Sequence, residues 1–202
     1  MEIFQHTAAD VALVVLLGGV ADGTCARDLA PDPHPAVVVR VDNLAGVLPE
    51  HLEAAQERAS AIFGGIDVRI AWVDQEQTIR ARVRPAFTVI VVNADKEGGR
   101  ASVFVDALGL ANPAVGRAHV FYDRVAALNI GTPRTIPSLL GDVIAHELGH
   151  LLLAPPGHSL SGIMRAELER SSWALRTFTA AQKREILARL ASGSIVAPIQ
   201  AR

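Results

Sequence analysis

Short apolar segments rich in valine and isoleucine recur between residues 36 and 122 and predict a sheet. Residues 86–92 are almost wholly apolar, which is typical of a strand buried on both faces. Residues 66–73 alternate between apolar and polar positions, as a half-buried strand does. The pattern predicts five strands, at residues 36–42, 66–73, 86–92, 101–107 and 117–122, and a loop at residues 109–116.

Three further segments repeat apolar residues at helical spacing. The first begins with proline, whose fixed φ suits a first helical turn, and ends before two glycines. The second is apolar on nearly every face, which predicts a buried helix. The helices are predicted at residues 49–63, 138–153 and 180–191, with Thr135 or Ser138 capping the second and Thr179 and Gln182 forming a capping box on the third.

The second helix carries the residues with the clearest chemistry. His146 and His150 are four residues apart, so a 3.6-residue turn brings both imidazoles to one face of the helix. Both rings can then reach one tetrahedral zinc ion. Glu147 lies about 100° around the axis from His146, where it can act on a zinc-bound water without ligating the metal. The H-E-x-x-H segment therefore predicts a hydrolytic zinc site.

A third histidine follows the end of this helix. A Pro-Pro-Gly sequence must end the helix, after which the chain can turn back and bring His158 under the metal. Catalytic zinc usually takes three protein ligands and leaves one position for water. Met164 comes six residues after His158 and is one of two methionines, the other being Met1.

These residues resemble the metzincin branch of the zinc metallopeptidases. In that family two helix histidines and a third histidine beyond a turn hold zinc, and a nearby turn containing methionine lies beneath the site. The resemblance implies that His146, His150 and His158 are the zinc ligands. It also implies that Glu147 is the general base and Met164 the methionine of the turn. The implied activity is zinc-dependent hydrolysis of a peptide bond in a peptide or protein substrate.

The spacing after the second histidine departs from the family pattern. The family has glycine three residues after that histidine, where Leu153 stands in this chain. Its third histidine also comes two residues earlier than His158 does. A carboxylate from Glu167 or Glu169 is therefore an alternative third ligand, as in the zincins that a glutamate completes.

The same resemblance implies an α+β fold. A twisted, mixed five-stranded sheet would back the H-E-x-x-H helix, and a small C-terminal helical part would close the cleft from below. We therefore expect a metallopeptidase-like domain at residues 36–202, divided into an upper part, 36–153, and a lower part, 154–202. In the family one antiparallel edge strand lines the cleft and pairs with substrate, and residues 101–107 are the candidate in this chain.

Residues 1–35 are predicted to be an N-terminal extension. Within it, residues 11–20 form an apolar run that matches the central part of a signal peptide and is too short to span a bilayer. Acidic residues precede the run where a signal peptide usually has basic ones. We favour export because a proline-rich linker follows at residues 28–35. The alternative is a first strand or helix of the domain, with no export.

Net charge and cysteine content argue against some kinds of partner and site. The formal net charge is −2 and no basic patch stands out, so a nucleic-acid partner is not indicated. Cys25 is the only cysteine, which excludes an internal disulfide and a metal site built from cysteines. The sequence leaves the oligomeric state open.

Several other residues have weaker claims to a role. Asp142 precedes His146 by one turn and is a candidate acceptor for its second ring nitrogen, although an aspartate near a helix start is more commonly solvated or paired with the helix dipole. The remaining candidates are Tyr122 as an oxyanion donor, Arg165 as a partner for a substrate carboxylate, and His119 and Trp173 as structural residues of the sheet and core or cleft wall.

Two other functions fit the same motif. One is a cytosolic regulatory metalloprotease that cuts a specific protein partner. The other is a non-catalytic zincin-fold domain that binds peptide or uses zinc structurally. Glu147 argues against the second, because a structural zinc site needs no base.

Overall fold

The computed structural model describes residues 34–80, 85–97, 106–130, 135–155, 157–166 and 176–193. These residues belong to a compact unit that spans Pro33–Arg202. The predictions for residues 11–20, Glu167, Glu169 and Trp173 lie outside the described residues. The division of the chain at residue 35 stays a prediction.

The centre of the unit is a five-stranded sheet with the order β2-β1-β3-β5-β4. Four neighbouring strands run parallel, and β4 pairs antiparallel with β5 at one edge. Together with the helices this is the mixed sheet of an α+β fold, as predicted. The strands are β1 (Ala36–Asn43), β2 (Arg69–Val73), β3 (Phe87–Val92), β4 (Gly109–Asn112) and β5 (Arg117–Phe121).

Five α-helices and two short 3-10 helices connect and cover the strands in the described residues. The helices are α1 (Pro49–Gly64), α2 (Gln75–Arg80), α3 (Tyr122–Asn129), α4 (Ile136–Leu152) and α5 (Ala180–Ala191), and the 3-10 helices are Ala94–Glu97 and Pro113–Val115. The three predicted helices are confirmed as α1, α4 and α5, while α2 and α3 were not predicted. No helix among the described residues is both long and apolar enough to cross a bilayer.

The predicted edge strand was placed wrongly. Asp106 and Ala107 are not in a strand, and residues 101–105 lie outside the described part of the chain. The antiparallel edge strand is instead Gly109–Asn112, inside the segment predicted to be a loop. Gly116 adopts φ +63°, which turns the chain back so that β5 pairs with β4. Pairing with β5 makes this segment a strand, although its glycine, alanine and asparagine have low strand propensity.

Helices α1 and α4 pack closely in the core. A Cβ built on Gly141 of α4 would lie 2.6 Å from both the Ala55 carbonyl oxygen and Arg58 Cβ of α1, so only glycine allows this approach. Val89 and Val91 of the central strand β3 are fully buried in the same core. The sheet and α1 thus fix the position of α4, which carries the H-E-x-x-H segment.

The C-terminal helix is tied back to the end of α4. The Ala154 backbone N–H donates to Glu185 Oε1 at 2.6 Å, and Arg189 donates to the Leu152 carbonyl at 3.2 Å. The predicted capping box of Thr179 and Gln182 is present at the start of α5. These contacts hold together the two chain segments that flank the loop carrying His158.

Candidate active site

Helix α4 is apolar on nearly every face and carries only a few polar residues. Thr135 caps it by accepting a hydrogen bond from the Ser138 backbone N–H at 3.3 Å, which decides between the two predicted caps. Nearly every residue after the first turn is buried, including His146 and Glu147. Buried polar groups require partners, so each of these side chains must have a hydrogen-bond or ionic partner close by.

The three predicted histidines converge on one point. His150 Nε2 lies 3.0 Å from His146 Nε2 and 3.1 Å from His158 Nε2. Burial decreases along the set, from buried His146 to exposed His158. One nitrogen from each ring lies within 4.8 Å of the other two, and the group can hold a metal ion.

His158 reaches this point through a tight turn after α4. Gly157 adopts φ +72°, a left-handed conformation that favours glycine. A Cβ there would also lie 2.8 Å from His150 Nδ1, so a larger residue would push on the neighbouring ring. Beyond the turn, the Ser159 backbone N–H donates to the Met164 carbonyl at 2.9 Å, and Gln182 of α5 donates to Ser159 Oγ at 3.1 Å. The loop is therefore anchored to α5 directly beside His158.

The ring of His146 has a defined tautomer. Its Nδ1 lies 2.9 Å from the Ile163 carbonyl oxygen, an acceptor only, so Nδ1 carries the proton. In the neutral ring Nε2 then has a free lone pair directed at the other two histidines. Burial lowers the pKa of His146, and burial followed by repulsion from the other two rings lowers the pKa of His150 to about 4. Neutral rings are the form that binds metal.

The cluster suits zinc better than it suits three free imidazoles. His150 Nε2 faces two ring nitrogens and can donate one proton at most, so one of the two contacts has no good hydrogen bond. A shared cation satisfies all three lone pairs at once. Tetrahedral zinc with nitrogens at 2.0–2.1 Å separates them by about 3.3 Å, close to the distances found. A set of three imidazoles is also a donor set typical of catalytic zinc.

Glu147 lies beside the histidines with its carboxyl group buried. The residue is 6% exposed. Burial raises the pKa of Glu147 to about 8, partly offset by a hydrogen bond from the Ala111 backbone N–H. A carboxyl with a pKa near neutrality can both accept and return a proton, which is the requirement for general acid–base catalysis.

Strand β4 contributes to this site, a role that the sequence did not reveal. A Cβ built on Gly109 would lie 2.6 Å from Glu147 Cγ and 2.7 Å from both Cδ and Oε1. Ala111, two residues later, provides the backbone N–H just described. Neither residue carries a functional group in its side chain, so no motif could have indicated it.

Met164 is fully buried and packs against the underside of α4. A Cβ on Gly149 would overlap Met164 Sδ and would lie 3.0 Å from Phe178 Cε1. Gly149 directly precedes His150. The methionine thus lies close behind the helix turn that carries the second histidine.

A cleft of about 710 Å³ opens in front of the histidines and Glu147. Its wall is mostly apolar, and its lining comes from β4 and the residues before it, from α4, and from the turn that leads to His158. The apolar side chains include Leu108, Leu110, Leu128, Val143 and Leu153. A volume of this size suits a small ligand or a few residues of a peptide.

Asp142 is not the acceptor for His146, the role for which it was a candidate. It is 0% exposed, and its Oδ1 accepts from Arg58 Nε of α1 at 2.9 Å, so it is not solvated either. The Ile163 carbonyl takes the place of the expected carboxylate on His146. Asp142 instead links the helix that carries His146 to α1.

The other weaker candidates lie in simple structural positions. His119 is in β5, paired with Ile90 and Leu110 on its two sides, as a sheet residue should be. Tyr122 begins α3 and does not end a strand as predicted. Arg165 directly follows Met164 and is partly buried.

The fold and site define an α+β domain with a three-histidine centre beside a buried glutamate. No protein-family model and no curated protein matches the chain. A zinc-dependent peptidase from Methanocorpusculum labreanum (strain Z) is similar over 73% of this chain and 99% of its own, with TM-score 0.48 and 15% identity. An archaemetzincin from Methanopyrus kandleri is similar over 81% and 99%, with TM-score 0.49 and 17% identity.

Proposed function

We propose that this protein is a zinc-dependent peptidase. His146, His150 and His158 hold the metal, and Glu147 is the general base. Met164 supports the site from behind α4 in the manner of a methionine turn. The substrate is a peptide or protein segment that enters the apolar cleft.

The convergence of three Nε2 atoms beside a buried carboxyl group is the observation that carries the proposal. His146 and His150 come from one helix, whereas His158 comes from a loop anchored to α5 through Ser159. A histidine arriving by chance from a separate segment would seldom direct its Nε2 at the other two rings. The glutamate carboxyl at the same site supplies the base that a purely structural metal centre lacks.

Each residue has a definite task in the hydrolysis. The three histidines would hold zinc, which when bound would supply a Lewis acid for the scissile carbonyl. Glu147 accepts a proton from the attacking water and then delivers it to the nitrogen of the leaving amine, so the carboxylate is restored. The Ile163 carbonyl keeps the proton of His146 on Nδ1.

The outer edge of β4 is the surface along which we expect substrate to lie. The Phe121 backbone N–H donates to the Leu108 carbonyl at 2.8 Å, so the backbone of residue 108 faces β5. In an antiparallel pair the backbone groups of successive residues point alternately toward and away from the partner. The backbone groups of Gly109 and the carbonyl of Ala111 therefore point away from β5, where an extended peptide can pair with them, while the Ala111 N–H already donates to Glu147.

Replacing Glu147 by glutamine tests the proposal. The glutamine variant keeps the shape of the side chain and the three histidines but cannot take a proton. We expect one zinc per chain, as in the wild type, and a loss of at least about 100-fold in kcat on a fluorogenic peptide library.

The matched control is Glu50→Gln, which makes the same change on the exposed first turn of α1. It should leave both zinc content and turnover unchanged. Full activity in the Glu147→Gln variant would contradict the role of Glu147. A zinc-loaded wild type that hydrolyses nothing in the library would favour a non-catalytic domain.

A further inference from the structure

We propose that Gly109 is a positioning residue for Glu147, resting on the function proposed above for that glutamate. By lacking a side chain, Gly109 lets β4 lie directly against the Glu147 side chain and fix the direction of its carboxyl group. Any larger residue at position 109 would displace the carboxyl group while leaving the three histidines in place.

Space, not backbone conformation, is what requires glycine at this position. Gly109 is the first residue of β4, and its φ is outside the left-handed range that most residues avoid. The three atoms nearest to a Cβ built there all belong to Glu147, at 2.6–2.7 Å. Distances below 3.0 Å are essentially never seen for real Cβ atoms, so something must move.

The Glu147 side chain is the group that would move. The clash could otherwise be relieved only by a shift of β4 or of α4. Strand β4 is held by pairing with β5, and helix α4 is buried on nearly all sides. A carboxyl on two methylene groups is easier to rotate than either element is to shift. Rotation would also break the hydrogen bond from the Ala111 N–H, since that bond depends on the present direction of the carboxyl.

The three histidines should keep their positions when a methyl group is added at position 109. None of the three atoms nearest the built Cβ belongs to a histidine. His146 is fixed from the other side by the Ile163 carbonyl, and the loop of His158 is fixed through Ser159. Metal binding and turnover should therefore separate when a methyl group is added at position 109.

The experiment compares Gly109→Ala with Gly64→Ala as a matched control. Gly64 ends α1, and a Cβ built there meets nothing within 4 Å. We expect Gly109→Ala to keep one zinc per chain and to lose at least about 10-fold in kcat with a smaller change in KM, because a shift near 1 Å in a reacting group is costly. Gly64→Ala should match the wild type. Loss of zinc from Gly109→Ala, or an unchanged kcat, would overturn the proposal.

A second readout needs neither zinc nor activity. In metal-free protein, Gly109→Ala should lower the midpoint of thermal unfolding by roughly 5 °C, as overpacking does. In a Glu147→Ala background the added methyl has room, so the same change should leave the midpoint almost unaltered. If the glycine is needed for any other reason, Gly109→Ala should lower the midpoint equally in both backgrounds, and that result would overturn the proposal. The comparison needs no catalysis, so it holds whether or not the protein is a peptidase.

The double variant also covers the case in which Gly109→Ala does not fold. If Gly109→Ala fails to fold and Gly109→Ala/Glu147→Ala folds, the conflict lies between these two residues and the proposal stands. If neither folds, Gly109 has another structural task and the proposal is wrong.

Discussion

Replacing Glu147 by glutamine should stabilise the metal-free protein at neutral pH. Burial raises the pKa of this carboxyl group from its ordinary value of 4.5 to about 8. The folded protein therefore keeps a proton on Glu147 over a pH range in which the unfolded chain has released it. Where the folded state binds more protons than the unfolded state, stability falls as pH rises.

The size of the effect follows from this difference. From pH 4.5 to pH 7 the wild type loses about 1.4 kcal/mol per pH unit through this one group, or about 3 kcal/mol in all. Glutamine does not titrate, and its amide oxygen can still accept from the Ala111 N–H. The variant should thus be more stable than the wild type by about 3 kcal/mol at pH 7 and equal to it near pH 4.

Urea unfolding of EDTA-treated protein at several pH values from 4 to 8 measures this difference. His146 and His150 also titrate over part of this range, and because their folded pKa values are lowered they favour stability at higher pH. Their contribution is the same in both proteins and cancels in the difference. A stability difference that does not change with pH would refute the reasoning about Glu147.

Two further substitutions test the packing around the site. Gly149→Ala adds a methyl group that would overlap Met164 Sδ, so it should lower the midpoint of thermal unfolding by roughly 5 °C. A midpoint within about 1 °C of the wild type would show that the methionine can move aside. Thr179→Ala removes one half of the capping box at α5 and should cost about 1 kcal/mol in urea unfolding, whereas no loss would mean that contacts of α5 elsewhere hold its first turn.

Periodicity identified the elements that pack through a continuous apolar face. Helix α1 has Ala55, Ala59, Ile62 and Phe63 buried on one stripe, and its predicted start at Pro49 matches the structure. Helix α4 was recognised because it is apolar almost all round. In both helices the local pattern and the tertiary burial agree, so sequence alone was sufficient.

Elements that depend on tertiary partners could not be found in this way. Helix α3 has only eight residues and buries only Val125, so its apolar stripe is too short to detect. Three of the four residues of strand β4 have low strand propensity, and the strand owes its form to pairing with β5. The contacts of Glu147 with Gly109 and Ala111 depend on that pairing and are invisible in the sequence.

The hydrogen-bond acceptor for His146 also depends on tertiary contacts that the sequence does not reveal. Helix geometry makes Asp142, a carboxylate one turn earlier, a candidate acceptor, although a solvated or dipole-pairing aspartate is commoner near a helix start. The structure directs Asp142 to Arg58 and gives His146 the Ile163 carbonyl instead. Every residue offers a backbone carbonyl, so nothing in the sequence distinguishes the one at position 163.

Zinc content per chain, measured by elemental mass spectrometry, tests the three-histidine site most directly. The wild type should bind one zinc, and His158→Ala should lose most of it. His119→Ala, which removes a histidine in β5 outside the cluster, should keep it. Equal zinc in the wild type and His158→Ala would exclude His158 as a ligand, and no zinc in the wild type after reconstitution would contradict the metal site altogether.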